Sequence, residues 1–137
     1  HKKEECENEL KDLDINIIYN ENYQQGMGSS LALGVNHTKD FDYTMVMLCD
    51  QTFIPLSHYQ SLKRSILNEN IIASLYGEKP KVPAIFPKKF YNEISKLKAD
   101  FGAKELLKKE SCIKIVLEEN YSIDIDTLRD VDLYLHI

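Results

Sequence analysis

Cysteine, clustered positive charge and long apolar runs are all scarce in this chain of 137 residues. The three cysteines, Cys6, Cys49 and Cys112, are widely spaced and form no CxxC pair. This usage argues against a disulfide framework and favours a reducing cytoplasm. No segment has the pattern of a signal peptide or of a membrane span, so no membrane partner is expected. The net charge of −5 and the lack of a long basic run argue against a nucleic-acid partner.

Glycine-rich phosphate-binding patterns are also missing, since neither GxGxxG nor GxxxxGK occurs. What is present is an ordinary globular balance, with 43% hydrophobic and 28% charged residues, which suits one domain over residues 1–137. Strand-like segments alternate with helix-like segments from residue 15 to the end. This alternation predicts a three-layer α/β fold with a mostly parallel sheet.

The strongest strand signal is the unbroken apolar run over residues 45–49. A strand that is apolar on both faces suits the centre of a covered parallel sheet, so we expect Met47 and Cys49 in the core. Asp50 follows directly, and ligands in open α/β sheets bind beyond the carboxyl ends of the strands. Asp50 is therefore a candidate ligand for a divalent cation. The alternative is that it begins a turn or caps a helix.

Two further segments place polar groups at predicted helix starts. Glycines and serines over residues 26–30 precede a helix-like segment, whose first backbone N–H groups would suit an anion. The alternative is a plain loop in which Ser29 or Ser30 caps the helix. Near the end of the chain, Thr127 and Asp130 have the spacing of a capping box. Asp126 therefore stands between an extended piece and a helix, in a setting like that of Asp50.

The remaining pattern predicts strands at residues 15–19, 71–76 and 113–117, and a proline-bearing edge strand at 82–86. Residues 77–83 are interpreted as a loop. The histidines at positions 37, 58 and 136 show no metal-ligand spacing, and we expect them at the surface.

Four segments in order along the chain form a larger pattern. They read N-x-x-Y-x-x-G-M-G-S-S-L at 20–31, M-L-C-D-Q-T-F-I at 47–54, A-D-F-G-A-K-E-L-L at 99–107 and D-I-D-T-L-R-D at 124–130. Together they resemble the molybdenum cofactor nucleotidyltransferases, and within them the molybdopterin cytidylyltransferase-like proteins. The resemblance covers nearly the whole chain from residue 15.

This resemblance implies an enzyme that transfers CMP from CTP to molybdopterin and releases pyrophosphate. It also implies a Rossmann-like nucleotidyltransferase fold, of which this chain would be the C-terminal portion. Asp50 and Asp126 would be catalytic and would bind Mg²⁺, with Asp124 as a further metal ligand. The nucleotide would lie against Gly26, Met27, Gly28, Ser29 and Ser30. The pterin substrate would lie near Pro83, Asp100, Gly102, Ala103 and Lys104.

The chain also departs from the family pattern. The family's opening Gly-rich loop, with its Arg and Lys, is not found, so we expect this chain alone to be inactive. Strands left unpaired by that absence are expected to be covered by a second copy or by another protein, such as a recipient molybdoenzyme. The family's G-H-P is here Lys81-Val82-Pro83. Two alternatives remain open: a nucleotidyltransferase specific for GTP or a sugar phosphate, and a non-catalytic module of the same fold.

Overall fold

The computed structural model describes residues 2–97, 103–109 and 111–135. Its strands are β1 (Tyr43–Val46), β2 (Ile72–Tyr76), β3 (Lys79–Pro87) and β4 (Ile113–Leu117). Its α-helices are α1 (Lys3–Leu10), α2 (Met27–His37), α3 (Leu56–Arg64), α4 (Tyr91–Ile94), α5 (Lys104–Leu107) and α6 (Leu128–Tyr134). Short 3₁₀ turns lie at Tyr23–Gln25, Lys88–Phe90 and Glu119–Tyr121. No helix within these ranges is both long and apolar enough to cross a bilayer.

The four strands form one sheet in the order β1-β3-β2-β4. β3 is antiparallel to both of its neighbours, and only β2 and β4 pair in parallel. The sheet is therefore mixed, and the prediction of a mostly parallel sheet was wrong. The reason is the two-residue connection Gly77-Glu78, since so short a link joins strands only as a hairpin. Gly77 has φ 58°, which glycine adopts without strain.

β3 differs from its prediction because of its prolines. They led to the interpretation of residues 77–83 as a loop and of residues 82–86 as an edge strand, and both interpretations were wrong. The structure instead gives one strand with neighbours on both sides. Its pairing with β2 jumps from Ala73 opposite Ala84 to Ser74 opposite Lys81. This β-bulge leaves Val82 and Pro83 out of the ladder. The missing N–H of Pro83 therefore costs no ladder hydrogen bond.

β1 is shorter and more exposed than its apolar run suggested. It ends at Val46, and it lies at one end of the described sheet rather than at the centre. Met47 is 56% exposed, and Cys49 is also exposed. The expectation of a central strand with both residues in the core was therefore wrong. Apolar composition indicated a strand, but it carries no information about where the hydrogen-bonded ladder stops.

Helices cover both faces of the sheet, which confirms the three-layer α/β arrangement. On one face, residues of α2, α4 and α5 pack with Ala73, Ala84 and Phe86. On the other face, Leu62 of α3 packs with Ile72 and Ile85. The alternation along β2 and β3 sends neighbouring side chains into opposite clusters, as the two-residue period of a strand requires.

The segment before α2 differs from its prediction. Residues 15–19 are not part of a strand, although their β-branched composition indicated one. Their apolar side chains are between 40% and 51% exposed at Ile15, Ile17, Ile18 and Tyr19. β-branched composition favours an extended chain, but a strand also needs a partner for its backbone. The strands predicted at 71–76 and 113–117 are confirmed as β2 and β4.

Candidate active site

The directions of the strands place several polar residues at one edge of the sheet. This edge is the line of strand ends and not an outer strand. β1 and β2 run in the same direction because both are antiparallel to β3, and β4 is parallel to β2. The carboxyl ends of these three strands therefore share one edge, where the first residues of β3 also lie. Asp50 follows β1 at this edge, Tyr76 ends β2, and Lys81 lies near the start of β3.

The turn after β1 buries two oxygen atoms that have no hydrogen-bond partner. They are Oδ1 of Asp50 and Oε1 of Gln51, and the Gln51 residue is only 6% exposed. A buried acceptor without a donor costs about 1–3 kcal/mol, and more if it is charged. Each of these two acceptors would be stabilised by a cation or by a ligand that donates a hydrogen bond.

A segment more than seventy residues later packs against this turn. The backbone N–H of Ile125 donates to the carbonyl oxygen of Asp50 at 2.9 Å. The side-chain amide of Gln51 donates to Oδ1 of Asp124 at 3.2 Å. These two bonds hold the Asp124 carboxylate beside the turn that carries Asp50.

The structure distinguishes Asp124 from Asp126. Both residues are exposed, but Asp124 contacts the turn directly, while the backbone N–H of Asp126 donates to Oδ2 of Asp130 at 3.2 Å. The predicted capping box at the start of α6 is confirmed, with Thr127 and Asp130 bonded reciprocally. The pKa of Asp130 is lowered, chiefly by the hydrogen bond from the Thr127 side chain. The cap fixes the start of α6 close behind the Asp124 carboxylate.

The carboxylate oxygens at this edge are suitable ligands for a hard cation that is also coordinated by a substrate. Within the described ranges, no cluster of three or more His, Cys, Asp or Glu side chains could enclose a metal ion. Mg²⁺, however, is commonly held by one or two carboxylates, with phosphate and water oxygens completing its octahedron. The unpartnered Oδ1 of Asp50 and the neighbouring Asp124 fit this arrangement.

Tyr76 is a site residue that the sequence reasoning missed. Its hydroxyl donates to the carbonyl oxygen of Val82 at 2.9 Å, which fixes the ring at the edge. Burial raises the pKa of the Tyr76 phenol strongly, and the negative charges of Asp124 and Asp50 raise it further. The phenol therefore stays neutral at physiological pH. Its position at the end of β2 was the available signal, because the same strand-end argument had singled out Asp50.

The glycine and serine segment forms the start of α2. Gly26 is the N-cap residue with φ 92°, and no side chain caps the helix, so neither Ser29 nor Ser30 is the cap. The side-chain amide of Asn20 instead donates to Ser29 Oγ at 2.9 Å and to Ser30 Oγ at 2.8 Å. The first N–H groups of α2 follow directly after Gly26.

Contacts at the carboxyl end of α2 indicate the direction in which the helix runs relative to β1. The hydroxyl of Thr44 in β1 donates to the hydroxyl of Thr38, just after α2, at 2.7 Å. The carboxyl end of α2 therefore meets the amino end of β1. Val35 of α2 and Val46 of β1 belong to the same apolar cluster. We predict that Gly26–Ser30 lies at the same edge of the sheet as Asp50, and this packing favours the prediction.

Comparison with known families adds an independent finding. A family model described as a MobA-like NTP transferase domain matches residues 1–114 of the 137. The chain belongs to this family. A search of curated proteins returned no match. The part of the MobA-like domain matched by the family model includes Asp50, Gln51 and Tyr76, and it stops before Asp124 and Asp126.

The residues expected on the acceptor side of this MobA-like domain occupy different settings. Pro83 is fully buried inside β3, and Ala103 is 8% exposed in the core cluster beside α5. Lys104 is exposed at the first position of α5. Asp100 and Gly102 lie outside the described residues. Pro83 and Ala103 therefore shape the backbone of this region, and Lys104 is the exposed cation among the five.

A buried polar chain supports the bulge in β3. Ser74, which is fully buried, donates to the carbonyl oxygen of Pro83 at 2.8 Å, and Nε2 of His58 lies 2.8 Å from the same serine oxygen. His58 is 7% exposed, so its predicted surface position was wrong. Its place on the inner face of α3, four residues before the buried Leu62, was the signal for burial.

We predict that His58 makes the stability of the domain depend on pH. Burial lowers the pKa of His58 below its ordinary value of 6.5, so the unfolded chain binds a proton more readily than the folded chain. The free energy of unfolding should therefore decrease as pH falls below about 6.5, until the folded-state pKa is passed. Urea unfolding at pH 7.5 and pH 5.5 measures this change.

A His58→Gln variant should lose part of the pH dependence, and His37→Gln, at an exposed histidine, should keep it. An unchanged slope in His58→Gln would contradict the assignment.

Proposed function

We propose that this MobA-like NTP transferase transfers CMP from CTP to molybdopterin and releases pyrophosphate, with Mg²⁺ as cofactor. The observation that carries the proposal is the buried, unpartnered Oδ1 of Asp50 at a strand end, beside the carboxylate of Asp124. Family membership supports transfer of a nucleotidyl group. The choice of CTP and molybdopterin rests on the resemblance of four sequence segments to the molybdopterin cytidylyltransferases.

The reaction itself demands mainly positioning and charge neutralisation. An oxygen of the acceptor phosphate attacks the α-phosphorus of CTP, a new P–O bond forms, and the bond to the departing pyrophosphate breaks. Bound Mg²⁺ would supply positive charge that offsets the phosphate oxygens. In this proposal Asp50 and Asp124 hold the cation, and the Gln51 amide orients the Asp124 carboxylate.

The start of α2 and Tyr76 have supporting roles in this proposal. The N–H groups of Met27 and Gly28 at the start of α2 would hold the nucleotide, because a helix N-terminus favours negative charge. The neutral phenol of Tyr76 stays bonded to Val82 and keeps the wall of the site in place beside the two carboxylates. On the acceptor side, the bulge around Pro83 sets the path of β3.

A transfer assay with labelled nucleotide tests the proposal. CTP or GTP labelled at the α-phosphate is incubated with the full-length protein, Mg²⁺ and molybdopterin, and the label is followed by chromatography. We expect label in a molybdopterin product from CTP and none in the released pyrophosphate. Transfer from GTP alone, or only to a sugar phosphate, would overturn the stated specificity. No transfer to any acceptor would favour a non-catalytic module.

A further inference from the structure

Lys81 is an exposed cation at the same edge of the sheet as the candidate site. It is exposed near the start of β3, and its ammonium lies 5.0 Å from the centre of the Tyr76 ring. A contact of this kind contributes about 0.5–1 kcal/mol at an exposed position. None of the ion pairs within the described ranges includes Lys81. Its ammonium is therefore available to an anionic ligand.

The Tyr76 side chain places Lys81 at the same edge as the candidate site. Its ring contacts the Lys81 ammonium, and Tyr76 ends β2 at the edge where Asp50 follows β1. The ring itself cannot swing freely, because its hydroxyl is bonded to the Val82 carbonyl. Lys81 therefore lies at the edge of the sheet that carries the turn of Asp50.

The backbone near Lys81 is also held firmly. Lys81 pairs with Ser74 at the edge of the bulge, and the Ser74 hydroxyl donates to the carbonyl of Pro83. His58 contacts the same hydroxyl from α3. These buried bonds fix the strand from which the lysine side chain projects. The buried Oε1 of Gln51 at the same edge has no hydrogen-bond partner, so it could accept a hydrogen bond from a ligand.

We propose that Lys81 binds the phosphate group of the acceptor. This inference rests on the proposed function, in which Asp50 and Asp124 hold a cation on one side of the reacting phosphates. An acceptor phosphate brought to that cation would lie beside the Tyr76 ring, where the Lys81 ammonium can neutralise its remaining charge. Lysine serves as a point charge for phosphate and needs no bidentate geometry.

Binding of phenyl phosphate, a simple phosphate monoester, tests the site without the transfer reaction. We expect Lys81→Met to weaken its binding about tenfold, since a charged hydrogen bond contributes roughly this factor. The methionine keeps an apolar side chain against Tyr76. The control is Lys88→Met, because exposed Lys88 follows the opposite end of β3, roughly 20 Å away along the strand. Equal affinity in Lys81→Met and wild type, or no binding by wild type, would overturn the proposal.

Steady-state kinetics separate this role from a general effect. Lys81→Met should raise the KM for the acceptor about tenfold and change the KM for CTP less than twofold, with Lys81→Arg recovering part of the loss. An equal rise in both KM values would indicate a general effect on the site, and a rise for CTP alone would assign Lys81 to the nucleotide; either result would contradict the proposal. If no variant transfers a nucleotide but phenyl phosphate binding still depends on Lys81, the proposed transferase reaction fails while the phosphate site stands.

Discussion

Replacing Asp50 with Asn is expected to lower Mg²⁺-dependent transfer about 1000-fold while the domain stays folded. The carboxylate charge is what a hard cation requires, and the amide of asparagine supplies only a neutral oxygen. Stability should not suffer, because asparagine keeps the shape of the side chain and Oδ1 of Asp50 makes no hydrogen bond that the change would remove. Initial-rate kinetics and thermal unfolding of the same preparations measure both effects.

A matched control lies at the other end of the same strand. Asp42 precedes β1 and is exposed, so Asp42→Asn changes the same charge away from the candidate site. Its turnover should stay within about twofold of wild type, since surface substitutions of this kind rarely matter. Near-normal turnover in Asp50→Asn would remove this residue from the mechanism.

Phe86→Ala is expected to reduce the free energy of unfolding by about 3–5 kcal/mol. Phe86 has no exposed surface and lies in β3, which pairs with strands on both sides. Its ring packs in the cluster that joins the sheet to the helices on that face. Truncation therefore removes apolar burial and leaves a cavity between two layers.

Phe41→Ala is the control for this stability measurement, because Phe41 is 65% exposed just before β1. It should change the free energy of unfolding by no more than about 0.5 kcal/mol. Urea denaturation followed by circular dichroism gives both values. A loss below about 1 kcal/mol in Phe86→Ala would show that this part of the sheet is not the packed centre of the domain.

The elements that the sequence predicted well are those defined by local chemistry. β4 and the capped start of α6 appear where alternation and cap spacing placed them. The position of β1 at one end of the sheet and the hairpin of β2 with β3 depend on pairing between segments. The apolar composition of residues 45–49 gives no information about that pairing. The prolines of β3 argued against a paired strand, which the β-bulge makes possible.

The candidate site was predictable to a similar extent. Reasoning from strand ends led to Asp50, and the structure adds its orphaned oxygen and its contact with the segment around Asp124. The sequence favoured Asp126, because it lies next to the cap. Asp124 and Asp126 are two residues apart and would share one side of an extended chain, so the local pattern could not choose between them, and only the contact with Gln51 selects Asp124.

The most direct test of the account is the affinity for Mn²⁺, used as a paramagnetic substitute for Mg²⁺, in the presence of CTP. Electron paramagnetic resonance measures free Mn²⁺ during titration of wild type and of three variants: Asp50→Asn, Asp124→Asn and Asp126→Asn. The account predicts that the first two variants bind Mn²⁺ at least about tenfold more weakly than wild type, a loss of about 1.4 kcal/mol, and that Asp126→Asn loses less. Unchanged Mn²⁺ affinity in Asp50→Asn would contradict the central claim that this strand-end turn holds the catalytic cation.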